Sequence, residues 1–151
     1  TGKSAVDKTA LLSVRGDGCG GVAEKKGGRR MKRVLLVMKR RVLAEAIMQE
    51  TQSALLFRAE YRSENAPIAA ETFAADVVLL EIPERTPRAQ SAALCDAIKR
   101  QRPETRILLL CPENDPDACR VTIEAVREKR ADDFVFYDTS IRYLLSKLEM
   151  L

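Results

Sequence analysis

Five short apolar runs, each followed by a stretch with helical spacing, constrain this chain more than any other feature of its sequence. The runs predict strands at residues 33–38, 55–61, 76–82, 106–111 and 133–137. Three of them are continuously apolar and do not alternate, as expected for strands that are covered on both faces. The pattern therefore predicts a parallel sheet with helices on both sides.

Helix signals fill the gaps between these runs. The predicted helices cover residues 41–51, 67–74 and 87–101, and two more begin at Asp115 and near Thr139/Ser140. Asp115 is a capping residue type, and Pro116 after it suits a first helical turn. The spacing of apolar residues predicts which side chains the first helix buries, namely Val42, Leu43, Ala46 and Ile47.

Five repeats of strand followed by helix, joined by right-handed crossovers, build a three-layer α/β sandwich. For five strands, the leading arrangement is the flavodoxin-like (βα)5 fold with a parallel sheet in the order 2-1-3-4-5. In such folds ligands bind at the carboxyl ends of the strands. The residues that follow strands 1, 3, 4 and 5 are therefore the candidate functional residues.

Residues 1–30 lack any sustained period and are rich in glycine, lysine and arginine. We predict that they are disordered, or an extension upstream of the natural start, and that the domain spans residues 31–151 with Met31 as a candidate for that start. They hold seven of the 26 basic and three of the 22 acidic residues, which leaves 19 of each in the domain. The basic pI is consequently weak evidence for nucleic-acid binding.

The remaining composition excludes several classes of protein. No apolar run approaches the roughly 18 residues of a membrane span, and the absence of histidine excludes Cys/His zinc sites and Ser-His nucleophiles. Four scattered cysteines are predicted to be buried, reduced thiols, which suits a cytoplasmic location. They are Cys19, Cys95, Cys111 and Cys119.

Two segments carry a family resemblance. Residues 76–83, DVVLLEIP, resemble the third strand of a response-regulator receiver domain of the CheY-like type, where an aspartate ends the strand and a proline follows. Residues 131–137, ADDFVFY, resemble its fifth strand, and residues 32–39 and 107–112 fit its first and fourth strands. The resemblance covers nearly all of residues 31–151, and it is the concordance of four strands that carries it.

The resemblance implies a phosphorylation site, and this chain departs from it throughout. Receivers accept a phosphoryl group from a histidine kinase on the aspartate. Two acids after strand 1 hold magnesium, a Ser/Thr after strand 4 contacts the phosphoryl group, and a lysine after strand 5 neutralises its charge. The matching positions are Met38, Lys39, Glu81, Cys111 and Tyr137. A thioether and an ammonium do not bind a cation that prefers oxygen ligands. We therefore predict a degenerate pseudo-receiver with no catalytic residue, metal or cofactor.

Two of these side chains, Lys39 and Cys111, and one further residue, Phe134, carry more specific hypotheses. Lys39 is expected either to replace the metal by pairing with Glu81, or to point into solvent together with it. Phe134 falls at the family's switch-aromatic position; the alternative is an ordinary strand residue on the sheet surface. Cys111 is interpreted as a packing residue, since no basic side chain is placed beside it by the sequence.

The predicted function is that of a stand-alone, non-enzymatic receiver domain that acts in bacterial signal transduction through protein partners. A homodimer through the helix 4–strand 5–helix 5 face is one expected form, and no DNA-binding module or membrane contact is expected. The alternative is a flavodoxin-like protein that binds a nucleotide, a flavin or another anion. The charged residues of the face are Arg120, Arg127, Lys129, Arg130, Asp132, Asp133, Arg142 and Lys147.

Overall fold

A computed structural model describes residues 31–50, 54–82 and 88–151. They form a five-stranded parallel sheet in the order β2-β1-β3-β4-β5, which confirms the predicted α/β fold and strand order. Residues 1–30 lie outside the described part of the chain, so the predicted extension stays a prediction. The strands are β1 (Lys32–Val37), β2 (Leu55–Glu60), β3 (Val77–Glu81), β4 (Arg106–Cys111) and β5 (Asp133–Phe136).

Each strand is followed by a helix, and the local signals in the sequence explain where the helices begin. The Asp115 side chain accepts hydrogen bonds from the N–H groups of Asp117 and Ala118, and Ser140 caps the last helix. No helix within the described ranges is both long and apolar enough to cross a membrane. The helices are α1 (Arg41–Gln49), α2 (Ala66–Phe73), α3 (Arg88–Gln101), α4 (Pro116–Arg127) and α5 (Ile141–Met150).

Two hydrophobic cores lie on opposite faces of the sheet because successive strand residues point in opposite directions. Helices α1 and α5 cover one face, and α2, α3 and α4 cover the other. The predicted buried stripe of α1 was wrong in part: the helix buries Ala44 and Ile47, while Val42 is 81% exposed. The observed stripe is centred on Ala44 and Ile47, with Leu43 and Met48 partly buried beside them.

Parallel pairing brings the carboxyl ends of the inner strands to a common edge. Val37 of β1 pairs with Leu80 of β3, and Cys111 of β4 pairs with Phe136 of β5. Glu81, the last residue of β3, pairs with Leu110. The residues that end or follow β1, β3, β4 and β5 therefore share one end of the sheet.

Candidate functional site at the carboxyl ends of the strands

The Glu81 carboxylate lies at the centre of this edge and joins three strands. Its side chain is only 4% exposed. Oε1 accepts a hydrogen bond of 2.6 Å from the backbone N–H of Lys39, which follows β1, and Oε2 accepts a short hydrogen bond from the phenol of Tyr137, which follows β5. The carboxylate is thereby satisfied by protein groups on both oxygens, as a buried charge must be.

The Tyr137 phenol acts as the donor in this arrangement. Its backbone N–H donates to the carbonyl of Cys111 at 3.1 Å, which places the ring directly beyond the β4–β5 pair. Burial, followed by the hydrogen bond to the Glu81 carboxylate, raises the pKa of Tyr137 well above its usual range. The phenol is therefore neutral at physiological pH and able to donate.

Arg40 supplies the positive charge at this edge, although the sequence pattern did not single it out. Its Nε lies 3.6 Å from Oε2 of Glu81, and its guanidinium carbon lies 4.7 Å from the centre of the Tyr137 ring. Arg40 occupies the N-cap position of α1, although its side chain makes no capping hydrogen bond. The sequence offered one signal for Arg40, namely its position shortly after β1, because residues that follow the strands lie at the ligand-binding edge of this fold.

The hypothesis that the Lys39 side chain pairs with Glu81 was wrong. Within the described residues, the ammonium of Lys39 makes no ion pair with Glu81, and Lys39 is exposed. Lys39 contacts the carboxylate only through its backbone N–H. The cation beside the carboxylate is instead Arg40, the next residue, whose Nε lies 3.6 Å from Oε2 of Glu81.

The side chains of the other two predicted positions are packed in the hydrophobic cores, on opposite faces of the sheet. Met38 is 2% exposed and packs in the core beneath α1 and α5. Cys111 is fully buried on the opposite face, in the core beneath α2, α3 and α4. The backbones of all five predicted positions thus lie at one edge of the sheet, but only Glu81 and Tyr137 bring their side chains together.

Phe134 and the buried cysteines are packed on the face covered by α2, α3 and α4. Phe134 is half-buried and lies edge-to-face with Phe136, with ring centres 5.4 Å apart and an interplanar angle of 82°. Burial raises the pKa of the Cys95 and Cys111 thiols to about 11. The switch role of Phe134 remains a prediction.

The donor set around Glu81 is poorly suited to a divalent metal ion. Magnesium prefers several oxygen ligands, whereas Glu81 is surrounded by an amide N–H, a phenol and a guanidinium, all of which donate hydrogen bonds or carry positive charge. Across the described residues, no group of three or more His, Cys, Asp or Glu side chains is arranged to hold a metal ion. The arrangement is that of a closed, hydrogen-bonded cluster.

Comparisons with known proteins agree on the fold. The chain is similar to the BeF3-activated receiver domain of DrrB, with 22% identity, a TM-score of 0.61 and coverage of 80% of this chain and 96% of that one. The response regulator domain of Thermotoga maritima CheB matches with 20% identity, a TM-score of 0.64 and coverage of 80% and 96%. A Rhodopirellula baltica protein described as adenylate cyclase matches with 14% identity, a TM-score of 0.65 and coverage of 80% and 86%.

No known family model matches the chain, and no curated protein matches it. The neighbouring structures include several response-regulator receiver domains, so the protein has the CheY-like receiver fold, a flavodoxin-like α/β architecture. Because the identities are low and one neighbour is described as an enzyme, the fold leaves the activity open.

Proposed function

We propose that this protein is a non-enzymatic receiver-like domain that acts in bacterial signalling through contacts with other proteins, without accepting a phosphoryl group. The observation that carries the proposal is the closed state of the Glu81 carboxylate. Both of its oxygens accept hydrogen bonds, and a guanidinium lies 3.6 Å from one of them.

A carboxylate in this state is a poor phosphoryl acceptor. To attack phosphorus, one oxygen must be free and aligned with the leaving group. Here that would require releasing either the Lys39 N–H or the Tyr137 phenol from a nearly buried site. Two donated hydrogen bonds also lower the nucleophilicity of the carboxylate, since they stabilise its charge in the ground state.

The electrostatics at the site also disfavour a metal-assisted reaction. Phosphoryl transfer relies on a cation to neutralise charge that develops on the phosphoryl oxygens. Arg40 already compensates Glu81, and its guanidinium stacks near the Tyr137 ring. A divalent ion entering beside Glu81 would be repelled by this guanidinium and would gain a single carboxylate as its ligand.

The proposal is tested by incubating the full chain with acetyl phosphate and Mg²⁺ and measuring the intact mass. We expect no gain of about 80 Da, the mass of one phosphoryl group, while a phosphorylatable receiver in a parallel sample gains it. A gain in the wild-type protein that disappears in Glu81→Gln would overturn the absence of phosphoryl transfer. A gain that persists in Glu81→Gln would place the reaction at another residue and would equally contradict the proposal.

The surface formed by α4, β5 and α5 is the proposed contact face. Its two aspartates are engaged within the chain: Asp133 pairs with Lys147 at 2.7 Å, and Asp132 pairs with Lys99 at 3.0 Å. Three exposed basic residues make no ion pair with any described residue, and two large apolar side chains are exposed beside them. The basic residues are Arg127, Lys129 and Arg142, and the apolar ones are Ile123 and Tyr143.

A face with this composition favours an acidic protein partner over a second copy of the chain, because three exposed basic residues there make no ion pair with a described residue, while Asp132 and Asp133 are already paired within the chain. Light scattering after size exclusion gives the oligomeric state, and we expect a monomer. Tagged Arg127→Glu/Arg142→Glu protein should lose a partner that wild-type protein retains from host extract, whereas the control Arg58→Glu should retain it. A dimer that this double variant disrupts would contradict the preference for an acidic partner.

Binding of an anionic small molecule is less well supported. Among the basic residues after β1, Arg40 is engaged with Glu81 and Tyr137, and the guanidinium carbon of Arg41 lies 4.1 Å from the centre of the Tyr61 ring. Only the Lys39 side chain then remains for an anion at this loop. Calorimetric titration with inorganic phosphate and absorbance near 450 nm, for flavin, are expected to show no binding and no cofactor.

A further inference from the structure

We propose that Cys111 and Cys119 form an oxidation-sensitive dithiol, which closes to an intramolecular disulfide when a hydroperoxide oxidises it. The proposal does not depend on the function proposed above. It concerns the face of the sheet opposite to Glu81, where the end of β4 meets the start of α4.

The two sulfur atoms are already in contact. Cys111 is the last residue of β4, Cys119 lies in the first turns of α4, and their Sγ atoms are 3.8 Å apart. Both sulfurs approach the same carbonyl oxygen, that of Pro112, at 3.4 Å from Cys111 and 3.7 Å from Cys119. A disulfide requires the sulfurs to come roughly 2 Å closer, which side-chain rotation and a small shift of the first turn of α4 can provide.

The two thiols differ in accessibility, and this difference assigns their roles. Cys119 is half-buried and open to a small oxidant, whereas Cys111 is fully buried. Cys119 is therefore the residue that meets the hydroperoxide, and Cys111 is the residue that resolves the oxidised product. Cys95 is buried in the same core but has no sulfur neighbour within the described residues, so it provides an internal comparison.

Thr122 is the second observation that points to reactivity at this pair. Its side chain is fully buried, and Oγ1 makes no hydrogen bond to any described residue. The nearby Thr122 side chain lowers the pKa of the Cys111 thiol and opposes part of the effect of burial. A buried hydroxyl that is otherwise unsatisfied stabilises a thiolate, which is the nucleophilic form of cysteine.

The chemistry balances in two steps. The Cys119 thiol attacks the O–O bond of hydrogen peroxide, which forms a sulfenic acid and releases one water. The Cys111 sulfur then attacks the Cys119 sulfur, the S–S bond forms, and the hydroxyl leaves with the proton of Cys111 as a second water. The two thiols together lose two electrons and two protons to the peroxide, and a dithiol reductant reverses the reaction by exchange.

The disulfide would act on α4. It would tie the first turn of this helix to the sheet across the loop of residues 112–115, so that α4 shifts as one body. Helix α4 carries Ile123 and Arg127 of the contact face. A redox-dependent partner contact follows from this link and rests on the proposed function, whereas disulfide formation does not.

The experiment exposes the full chain to increasing hydrogen peroxide, blocks the remaining thiols with N-ethylmaleimide under denaturing conditions, and maps tryptic peptides. The peptide of residues 107–120 contains both cysteines and no internal cleavage site, while Cys95 lies in the peptide of residues 89–99. We expect the first peptide to lose both adducts and to become about 2 Da lighter than its reduced form. Dithiothreitol should restore it, and the Cys95 peptide should remain alkylated.

Three variants test the assigned roles. Cys111→Ser should leave Cys119 to accumulate oxygen adducts, and Cys119→Ser should leave Cys111 alkylated at the same peroxide dose. Thr122→Val should slow disulfide formation by roughly threefold to tenfold, because the thiolate of Cys111 loses its donor. An equal rate in Thr122→Val would remove that hydroxyl from the reaction.

The wild-type map alone can overturn the proposal, even if a variant fails to fold. The proposal is wrong if the peptide of residues 107–120 retains both adducts, or if the Cys95 adduct is lost at the same dose. It is also wrong if either sulfur is cross-linked to Cys19 or to a second chain. If the disulfide forms but partner capture is unchanged, the proposed oxidation of the dithiol is supported. Only the proposed effect of the disulfide on the contact face is then contradicted.

Discussion

Carboxylates tie neighbouring strands together at both ends of the sheet, but in different surroundings. At the amino end, Asp76 accepts the N–H of Arg33 at 2.8 Å, and Asp132 accepts the N–H of Ile107 at 2.7 Å. At the carboxyl end, Glu81 accepts the N–H of Lys39 at 2.6 Å. The side chains of Asp76 and Asp132 are 21% and 22% exposed, whereas that of Glu81 is 4% exposed.

The same hydrogen-bonding device therefore has different consequences at the two ends. The aspartates keep contact with water and are flanked by flexible cations, such as Lys99 at 3.0 Å from Asp132. Glu81 has little access to water, so its negative charge is stabilised by the Lys39 N–H, the Tyr137 phenol and Arg40 instead of by solvent. A group that depends on fixed partners in this way resists both rearrangement and entry of a ligand.

Glu81→Ala is expected to have the largest effect on this contrast. It removes the acceptor of two donors in a nearly dry environment, and we expect the free energy of unfolding to fall by about 3 kcal/mol in urea denaturation. Glu81→Gln is the matched control, since its side-chain carbonyl still accepts the Lys39 N–H, and it should lose about half as much. A loss equal to that of the aspartate variants would mean that the two ends do not differ.

Tyr137→Phe should reduce stability by about 1.5 kcal/mol at neutral pH, because a hydrogen bond to a charged acceptor is lost. The contribution is pH-dependent. The phenol of the unfolded chain titrates near pH 10, and the folded pKa of Tyr137 lies higher, so the contribution is complete below about pH 10 and is lost as the pH rises further.

Urea denaturation of wild-type and Tyr137→Phe protein at neutral pH and above pH 10 measures this dependence. The difference between the two proteins should shrink at the higher pH. A constant difference for Tyr137→Phe would contradict the buried phenol–carboxylate pair.

Asp132→Asn is expected to cost about 1 kcal/mol, because the amide oxygen still accepts the Ile107 N–H while the attraction to Lys99 is lost in a partly exposed pair. Asp76→Asn should behave similarly, since its cation Arg102 is 3.9 Å away. A loss larger than that of Glu81→Ala, measured under the same conditions, would make the amino end the more demanding of the two.

Arg40→Gln should have the smallest effect, about 0.5 kcal/mol. Its side chain is 58% exposed, so its ion pair with Glu81 and its contact with the Tyr137 ring are both weakened by solvent. Arg41→Gln, which changes an equivalent cation stacked on Tyr61, is the control and should cost a similar amount. A loss above about 2 kcal/mol would show that Glu81 needs the guanidinium as a buried counter-ion.

The strands and their order were predictable because the signals are local or topological. Each predicted strand agrees with the observed one to within one residue at either end, and Asp115 and Ser140 cap helices near where the sequence placed them. Continuous apolar runs identify covered strands, and right-handed crossovers leave few ways to connect them. Placing Glu81 at the carboxyl edge follows from these two facts alone.

The partners of Glu81 could not be predicted in the same way. Lys39 was the expected cation and Arg40 is the observed one, although the two are adjacent in the chain. Cys111 and Cys119 are eight residues apart, and nothing in their spacing indicates that the sulfurs touch. In each case the outcome depends on how a loop leaves its strand, which changes side-chain positions by several ångströms without changing any local pattern.

Hydrophobic periodicity and turn-forming residues were sufficient to predict the five strand–helix units and the order of the strands in the sheet. They also predicted the edge of the sheet at which Glu81 lies. The contacts made at that edge required three-dimensional packing, because the face towards which a side chain points and the donor it meets depend on neighbours from distant parts of the chain. Glu81 is a clear instance: its place follows from the end of one strand, and its closed state arises from groups that follow two others.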